Sequence, residues 1–284
     1  MADELRLRRD DRQQRVRHPR RPRPLRAPGR QSHSAAAGSV RVPWKLDRRS
    51  HRSDSAVTGI NNRVPTRVGM LAVADSGPGE GVGTPVVLWP SLFSDHRLYR
   101  HVTALLGPQW RTICVDGPGF GRSDAPGGDV HPDRYAGAVV DLLDELGIET
   151  AVVAGCSWGG QVAAHTGVQS PQRTAAVLMM NTPLAPSLGG ARFQIIGTRM
   201  VGSTAFWGKG VARSMIAAPT TQAHPERVAE FVAAFRSFDR VAAADTVRTV
   251  LACSPGLAAV LPQLRVPTTL MMGAQDALYP PETA

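Results

Sequence analysis

Gly155-Cys156-Ser157-Trp158-Gly159-Gly160 follows directly on the apolar run Ala151-Val152-Val153-Ala154 and opens onto Gln161-Val162-Ala163-Ala164. The run before it reads as a buried strand, and the small-residue stretch after it as a helix. A serine lifted on a sharp strand-to-helix turn needs small residues two before and two after it, because the two backbones nearly touch there. Gly155 and Gly159 meet that need, and Gly160, Ala163 and Ala164 let the helix pack closely. The N-terminus of that helix also aims its partial positive charge at Ser157, where an oxyanion would develop. The spacing G-x-S-x-G is common by itself. Between these flanks it marks Ser157 as the candidate nucleophile.

Outward from this turn, strand and helix alternate at short intervals. Val68 to Val73 reads as a first strand, Val86-Val87-Leu88-Trp89 as a buried one, and Thr112-Ile113-Cys114-Val115 as another. His96 to Leu106 has helical spacing, with an apolar face at Leu98, Val102 and Leu105. Residues 132–147 form an amphipathic helix with Tyr135, Val139, Leu142, Leu143 and Leu146 inward. Strands follow at 175–180 and 268–272. This rhythm predicts an α/β fold, a mainly parallel sheet with helices on both faces. Residues 184–256 break it with helical stretches and no clear strand, which predicts a helical insertion acting as a lid. The folded domain is expected over 66–284.

The formal net charge of +10 is not evenly spread. Residues 1–70 carry 18 Lys and Arg against 6 Asp and Glu, and residues 71–284 carry 15 against 17. The basic excess therefore belongs to an appendage. Residues 1–55, rich in Arg, Pro, Ser and Ala, are expected to be disordered. A flexible tail, a start codon set too far upstream and a basic arm for nucleic acid or anionic lipid would each give that composition. Neither nucleic acid nor a membrane is the expected partner of the body, and no apolar run reaches the roughly 18 residues of a membrane span. Three cysteines and no apolar leader point to a reducing, cytoplasmic setting without disulfides.

Three motifs in order resemble the α/β-hydrolase superfamily, serine-hydrolase type, over roughly residues 66–284. They are the turn at Ser157, the loop Asp116-Gly117-Pro118-Gly119-Phe120-Gly121-Arg122-Ser123-Asp124, and the segment Gly273-Ala274-Gln275-Asp276-Ala277-Leu278-Tyr279-Pro280. The resemblance implies that Ser157 attacks a carbonyl of a small-molecule ester, lactone or related ketone, forming an acyl-enzyme. It implies Asp276 as the acid that orients a histidine. It implies an oxyanion hole from the backbone N–H of Trp158 and one from the loop after residues 86–89. Many members have His-Gly in that loop. Here Trp89-Pro90 stands there, so the donor falls to Ser91, with Leu92 as second choice. No cofactor is implied, since Gly117 to Gly121 lacks the dinucleotide spacing. No metal site is expected: His96 and His101 do not share a helical face.

The family's histidine lies after a further strand and helix beyond the acid. All eight histidines of this chain precede Asp276. The last strand, the last helix and the general base are thus expected to be missing, with the chain catalytically impaired, as a fragment or a pseudoenzyme. Among the upstream histidines His96 is the nearest to a substitute base, by its place on the oxyanion-side loop.

Overall fold

The computed structural model describes residues 59–79, 83–128, 131–184, 191–252, 256–276 and 278–279. The segment 1–55 lies outside the described residues, and so does Cys253.

Among the described residues seven strands form one sheet: β1 (Asn62–Thr66), β2 (Gly69–Asp75), β3 (Val86–Trp89), β4 (Thr112–Val115), β5 (Ala151–Cys156), β6 (Thr174–Met180) and β7 (Thr268–Met271). Their order is β1-β2-β4-β3-β5-β6-β7. β1 and β2 pair antiparallel, as do β2 and β4, and the other pairs are parallel. The sheet starts earlier than the sequence pattern indicates. β1 begins at Asn62, ahead of residue 66, and escapes a periodicity reading because it is a sheet-edge strand with only Val64 buried and a proline at 65. The strands read at 86–89 and 112–115 are fully buried along their whole length.

One face of the sheet presents Val73, Val87, Ile113, Val115, Val153, Val177 and Met179 to α2 (Pro132–Glu145) and α3 (Trp158–Gln169). Tyr135, Val139, Leu142 and Leu143 of α2 are completely buried there, as their spacing predicts. Complete burial of one such side chain contributes about 1.5–3 kcal/mol. At its outer end α2 is tied to the β1–β2 turn. Arg67 donates from Nε and Nη2 to Asp141 at 2.9 and 2.7 Å and from its backbone N–H at 2.8 Å. These hydrogen bonds hold the Asp141 carboxyl below its ordinary range.

The opposite face is smaller: Ala74, Val86, Leu88, Cys114 and Ala154 under Tyr99, with Val152, Leu178 and Met180 half-buried at its rim. The helix read at 96–106 is there, but as a 3-10 turn over His96–Tyr99 continued by α1 (Arg100–Leu106). Its inward face is the other one. Tyr99 and Thr103 are buried, whereas Leu98, Val102 and Leu105 are exposed. Leu98, Val102 and Leu105 do share one face, as their spacing of four and three predicts, but that face turns to solvent.

Among the described residues between β6 and β7 stand five α-helices: α4 (Ala191–Val201), α5 (Ala205–Met215), α6 (Ala218–Ala223), α7 (Pro225–Ser237) and α8 (Arg240–Ala252). Among the described strands β7 pairs with β6 alone, and all four of its residues are exposed.

Candidate functional site

Ser157 occupies the turn between β5 and α3 with φ 53° and ψ −112°, a backbone region that side-chain-bearing residues rarely enter. The surroundings hold it there. Its N–H donates to the Met180 carbonyl at 2.9 Å, and its carbonyl accepts from Gly160 and Gln161 at 3.0 and 3.2 Å. The close approach needs glycine. A Cβ on Gly155 would fall on the backbone of Gly159, and one on Gly159 would strike the Trp89 carbonyl and lie 2.8 Å from that of Pro90. The start of α3 thus abuts the loop that follows β3. The N–H of Trp158 is the first of α3 and has no acceptor within its own helix.

The loop after β3 is built from inside. Ser91, Leu92, Phe93, Ser94 and Asp95 are all buried. Ser94 Oγ donates to the Ser91 carbonyl at 2.8 Å, and Phe93 takes φ 63°. Ser91 Oγ is buried with no hydrogen-bond partner. Tyr99, pushed well above the ordinary phenol range by burial, crosses between strands. Its hydroxyl donates to the Trp89 carbonyl at 2.6 Å and accepts the Cys156 N–H at 3.0 Å, joining the ends of β3 and β5.

Asp116, completely buried at the end of β4, clamps two loops together. Its Oδ1 accepts the backbone N–H of His96 at 2.8 Å and bonds the ring Nδ1 at 2.7 Å, while Oδ2 accepts the N–H of Arg122 at 2.9 Å. Gly121, at φ 56°, lets its backbone come up against that carboxylate, where any Cβ would overlap it. Nothing local in the sequence signals this clamp except the aspartate that opens the 116–124 loop. Asp95, His96 and Asp116 offer ligand atoms within 4.8 Å of one another. Those oxygens are already engaged, because Asp95 also accepts four contacts from Arg97. The cluster has the chemistry of a hydrogen-bonded brace.

Asp276 follows β7. Its Oδ2 accepts Asn181 Nδ2 at 2.5 Å, and its Oδ1 accepts the N–H groups of Leu278 and Tyr279, each at 2.9 Å. Asn181, at the end of β6 with φ 46°, donates its own N–H to the Met271 carbonyl at 2.7 Å. The sequence reading did not single out Asn181. Its partner lies 95 residues away, beyond any local pattern. Asp276 is close enough for its charge to act on Cys156. Burial first, and that charge second, push the Cys156 thiol up to about 11, so the thiol is inert at neutral pH. Ser157 and Asp276 thus stand at the carboxyl ends of strands in one half of the sheet. Among the described residues no histidine is hydrogen-bonded to either. His96 is held by Asp116, His101 Nε2 lies 3.2 Å from Arg100 Nε, and His224 Nδ1 lies 3.1 Å from Glu226.

The inserted helices rest on these loops. Phe93 packs against Phe235 and Phe238 with ring centroids 5.3 and 6.4 Å apart, and Phe120 against Phe238 at 5.4 Å. Thr246 Oγ1 donates to the Pro118 carbonyl at 2.8 Å.

Residues 84–284 match the family model described as the alpha/beta hydrolase fold. The chain is 29% identical over 109 residues to haloalkane dehalogenase 2 of Mycobacterium tuberculosis, 38% of each chain. It is 34% identical over 111 residues to the 2-hydroxy-6-oxo-6-phenylhexa-2,4-dienoate hydrolase of Burkholderia cepacia, 37% of each chain. The matches thus span about two fifths of the length of these curated relatives. Among solved structures, the enol-lactonase of Burkholderia xenovorans LB400 superposes with TM-score 0.71 at 23% identity, covering 78% of this chain and 85% of that one.

Proposed function

The chain belongs to the α/β-hydrolase fold family, and on that premise we propose that it is a serine hydrolase scaffold in which Ser157 Oγ attacks a carbonyl carbon. The Oγ–C bond forms and the hydroxyl proton passes to the leaving group as its bond to the carbonyl carbon breaks; water then cleaves the acyl-serine ester, its hydroxyl going to the acyl carbon and its proton back to Oγ. The N–H groups of Trp158 and Ser91 face the developing oxyanion, Asp276 is the acid of the triad, and helices α4–α8 are the lid. Substrates are esters, lactones or carbonyl compounds cleaved beside a ketone. The names of the enol-lactonase and dienoate-hydrolase relatives agree with that class. The observation that carries the reading is the backbone conformation of Ser157, held between β5 and α3 by hydrogen bonds and by the glycines around it. Serine at this position favours acyl transfer over the aspartate-nucleophile chemistry of dehalogenases.

The same reading assigns low turnover to residues 1–284 alone. Asp276 bonds Asn181 and two backbone N–H groups, and residues 277–284 contain no histidine. A serine hydroxyl without an adjacent base is a weak nucleophile. The test is labelling by a fluorophosphonate probe together with hydrolysis of an activated aryl ester. Slow labelling that disappears in Ser157→Ala is expected. Grafting the histidine-bearing C-terminal segment of a related hydrolase after residue 284 should raise turnover by about 10³-fold or more. The same graft with alanine for that histidine should not. Label retained in Ser157→Ala overturns the assignment of the nucleophile. Efficient Ser157-dependent turnover without the graft overturns the impairment and makes His96→Ala the next variant.

A further inference from the structure

We propose that the outer face of α4 and α5 docks onto the headgroup layer of an anionic lipid bilayer. Phe193, Ile196 and Met200 lie three and four residues apart, so they share one face of α4, and they are 69%, 62% and 67% exposed. Phe206, at the start of α5, is 83% exposed. The two helices meet beside it through Trp207, the half-buried neighbour of Phe206, whose ring lies 5.2 Å from that of Phe193. Scattered single apolar residues are ordinary on a protein surface, but a contiguous aromatic and aliphatic patch marks a binding face.

The charges choose the partner. Residues 191–215 carry Arg192, Arg199, Lys209 and Arg213 and no aspartate or glutamate. All four cations are exposed. Arg192 and Arg199 stand beside the apolar stripe on the solvent side of α4. Arg199 has one carboxylate near it, Asp245 at 4.0 Å. Exposed apolar side chains flanked mainly by cations are what the boundary between anionic headgroups and acyl chains accommodates. A second copy meeting the patch face to face would set cations against cations, which disfavours self-association through it. No described helix is long and apolar enough to cross a membrane, and docking of this kind requires none.

The experiment is co-sedimentation of the full chain with vesicles of phosphatidylcholine containing 30% phosphatidylglycerol, and with pure phosphatidylcholine. The wild type should bind the anionic vesicles, and binding should weaken as salt rises. The basic segment before residue 59 is common to every variant, so differences between variants report the patch. Phe193→Ser/Ile196→Ser/Met200→Ser/Phe206→Ser should lower the partition coefficient at least tenfold at unchanged circular dichroism and melting temperature. Arg192→Gln and Arg213→Gln should each lower it by about fivefold on anionic vesicles only. Undiminished binding by the quadruple serine variant would assign lipid affinity to the N-terminal segment and overturn the proposal. So would absence of wild-type binding, or a quadruple variant whose only change is loss of self-association in gel filtration.

Discussion

Asp116→Asn separates a clamp of defined geometry from a merely polar buried residue. The carboxylate is completely buried and accepts three N–H contacts, two on Oδ1 from His96 at 2.8 and 2.7 Å and one on Oδ2 from Arg122 at 2.9 Å. Asparagine has the same shape but only one acceptor oxygen. Turned with its oxygen toward His96, its amide NH2 faces the N–H of Arg122. Turned the other way it loses both His96 contacts, so the first arrangement is cheaper. It forfeits one hydrogen bond to a charged group, about 1.5–3 kcal/mol, and strands buried donors against each other, about 1–3 kcal/mol. Relief from burying a charge offsets part of this. A net loss of about 2–4 kcal/mol is expected, a large share of an ordinary domain stability of about 5–15 kcal/mol. Urea unfolding followed by circular dichroism and tryptophan fluorescence would measure it, with an unchanged slope against denaturant. The cycle with His96→Ala should be non-additive, because both residues belong to one network. A loss below about 0.5 kcal/mol, or additivity within about 0.3 kcal/mol, would refute the clamp.

Three further outcomes follow from the same geometry. Ser157→Gly should raise stability by about 1 kcal/mol, since glycine enters φ 53° without the strain a side chain incurs there, while abolishing probe labelling; a destabilised Ser157→Gly protein would contradict the strain argument. Gly159→Ala should cost about 3 kcal/mol in chemical denaturation, because its Cβ would meet the rigid Trp89 and Pro90 carbonyls rather than a movable side chain. His165 on α3 is depressed below the ordinary histidine range by burial, with the charge of Asp133 opposing. The unfolded chain therefore takes up its proton first as pH falls, so this contribution is present above about pH 6.5 and lost below it. His165→Gln should lose less stability than wild type between pH 7 and pH 5, read from melting temperatures across that range.

What could be read from the sequence was whatever short-range chemistry dictates. β3, β4 and β5 are central strands covered on both faces, so they appear as unbroken apolar runs. The turn at Ser157 is legible because the close approach of strand and helix selects glycine at two fixed positions. β1 was not legible, since a sheet-edge strand with one buried residue has no pattern to show. The inward face of α1 was not legible, since spacing shows that Leu98, Val102 and Leu105 share a face but not which face the sheet covers. Asp116 was visible as a motif residue, but its work is done through His96, 20 residues upstream, and no periodicity encodes a contact of that range.

Asp276 shows the same division and bears on the chemistry. The G-x-x-D spacing places an aspartate after a strand, but not what the carboxylate binds. In the fold it accepts one side-chain N–H on Oδ2 and two backbone N–H groups on Oδ1. A carboxylate offers about four acceptor positions, so Oδ1 is filled and Oδ2 keeps one position. Asn181 and the 278–279 backbone hold the carboxylate still without exhausting it, which is the state an acid needs to receive the Nδ1–H of an imidazole. A histidine supplied after residue 284 would then find its partner already oriented. Asn181→Ala, which frees Oδ2 to swing, should reduce the turnover of the grafted protein while leaving probe labelling of Ser157 in the ungrafted chain unchanged.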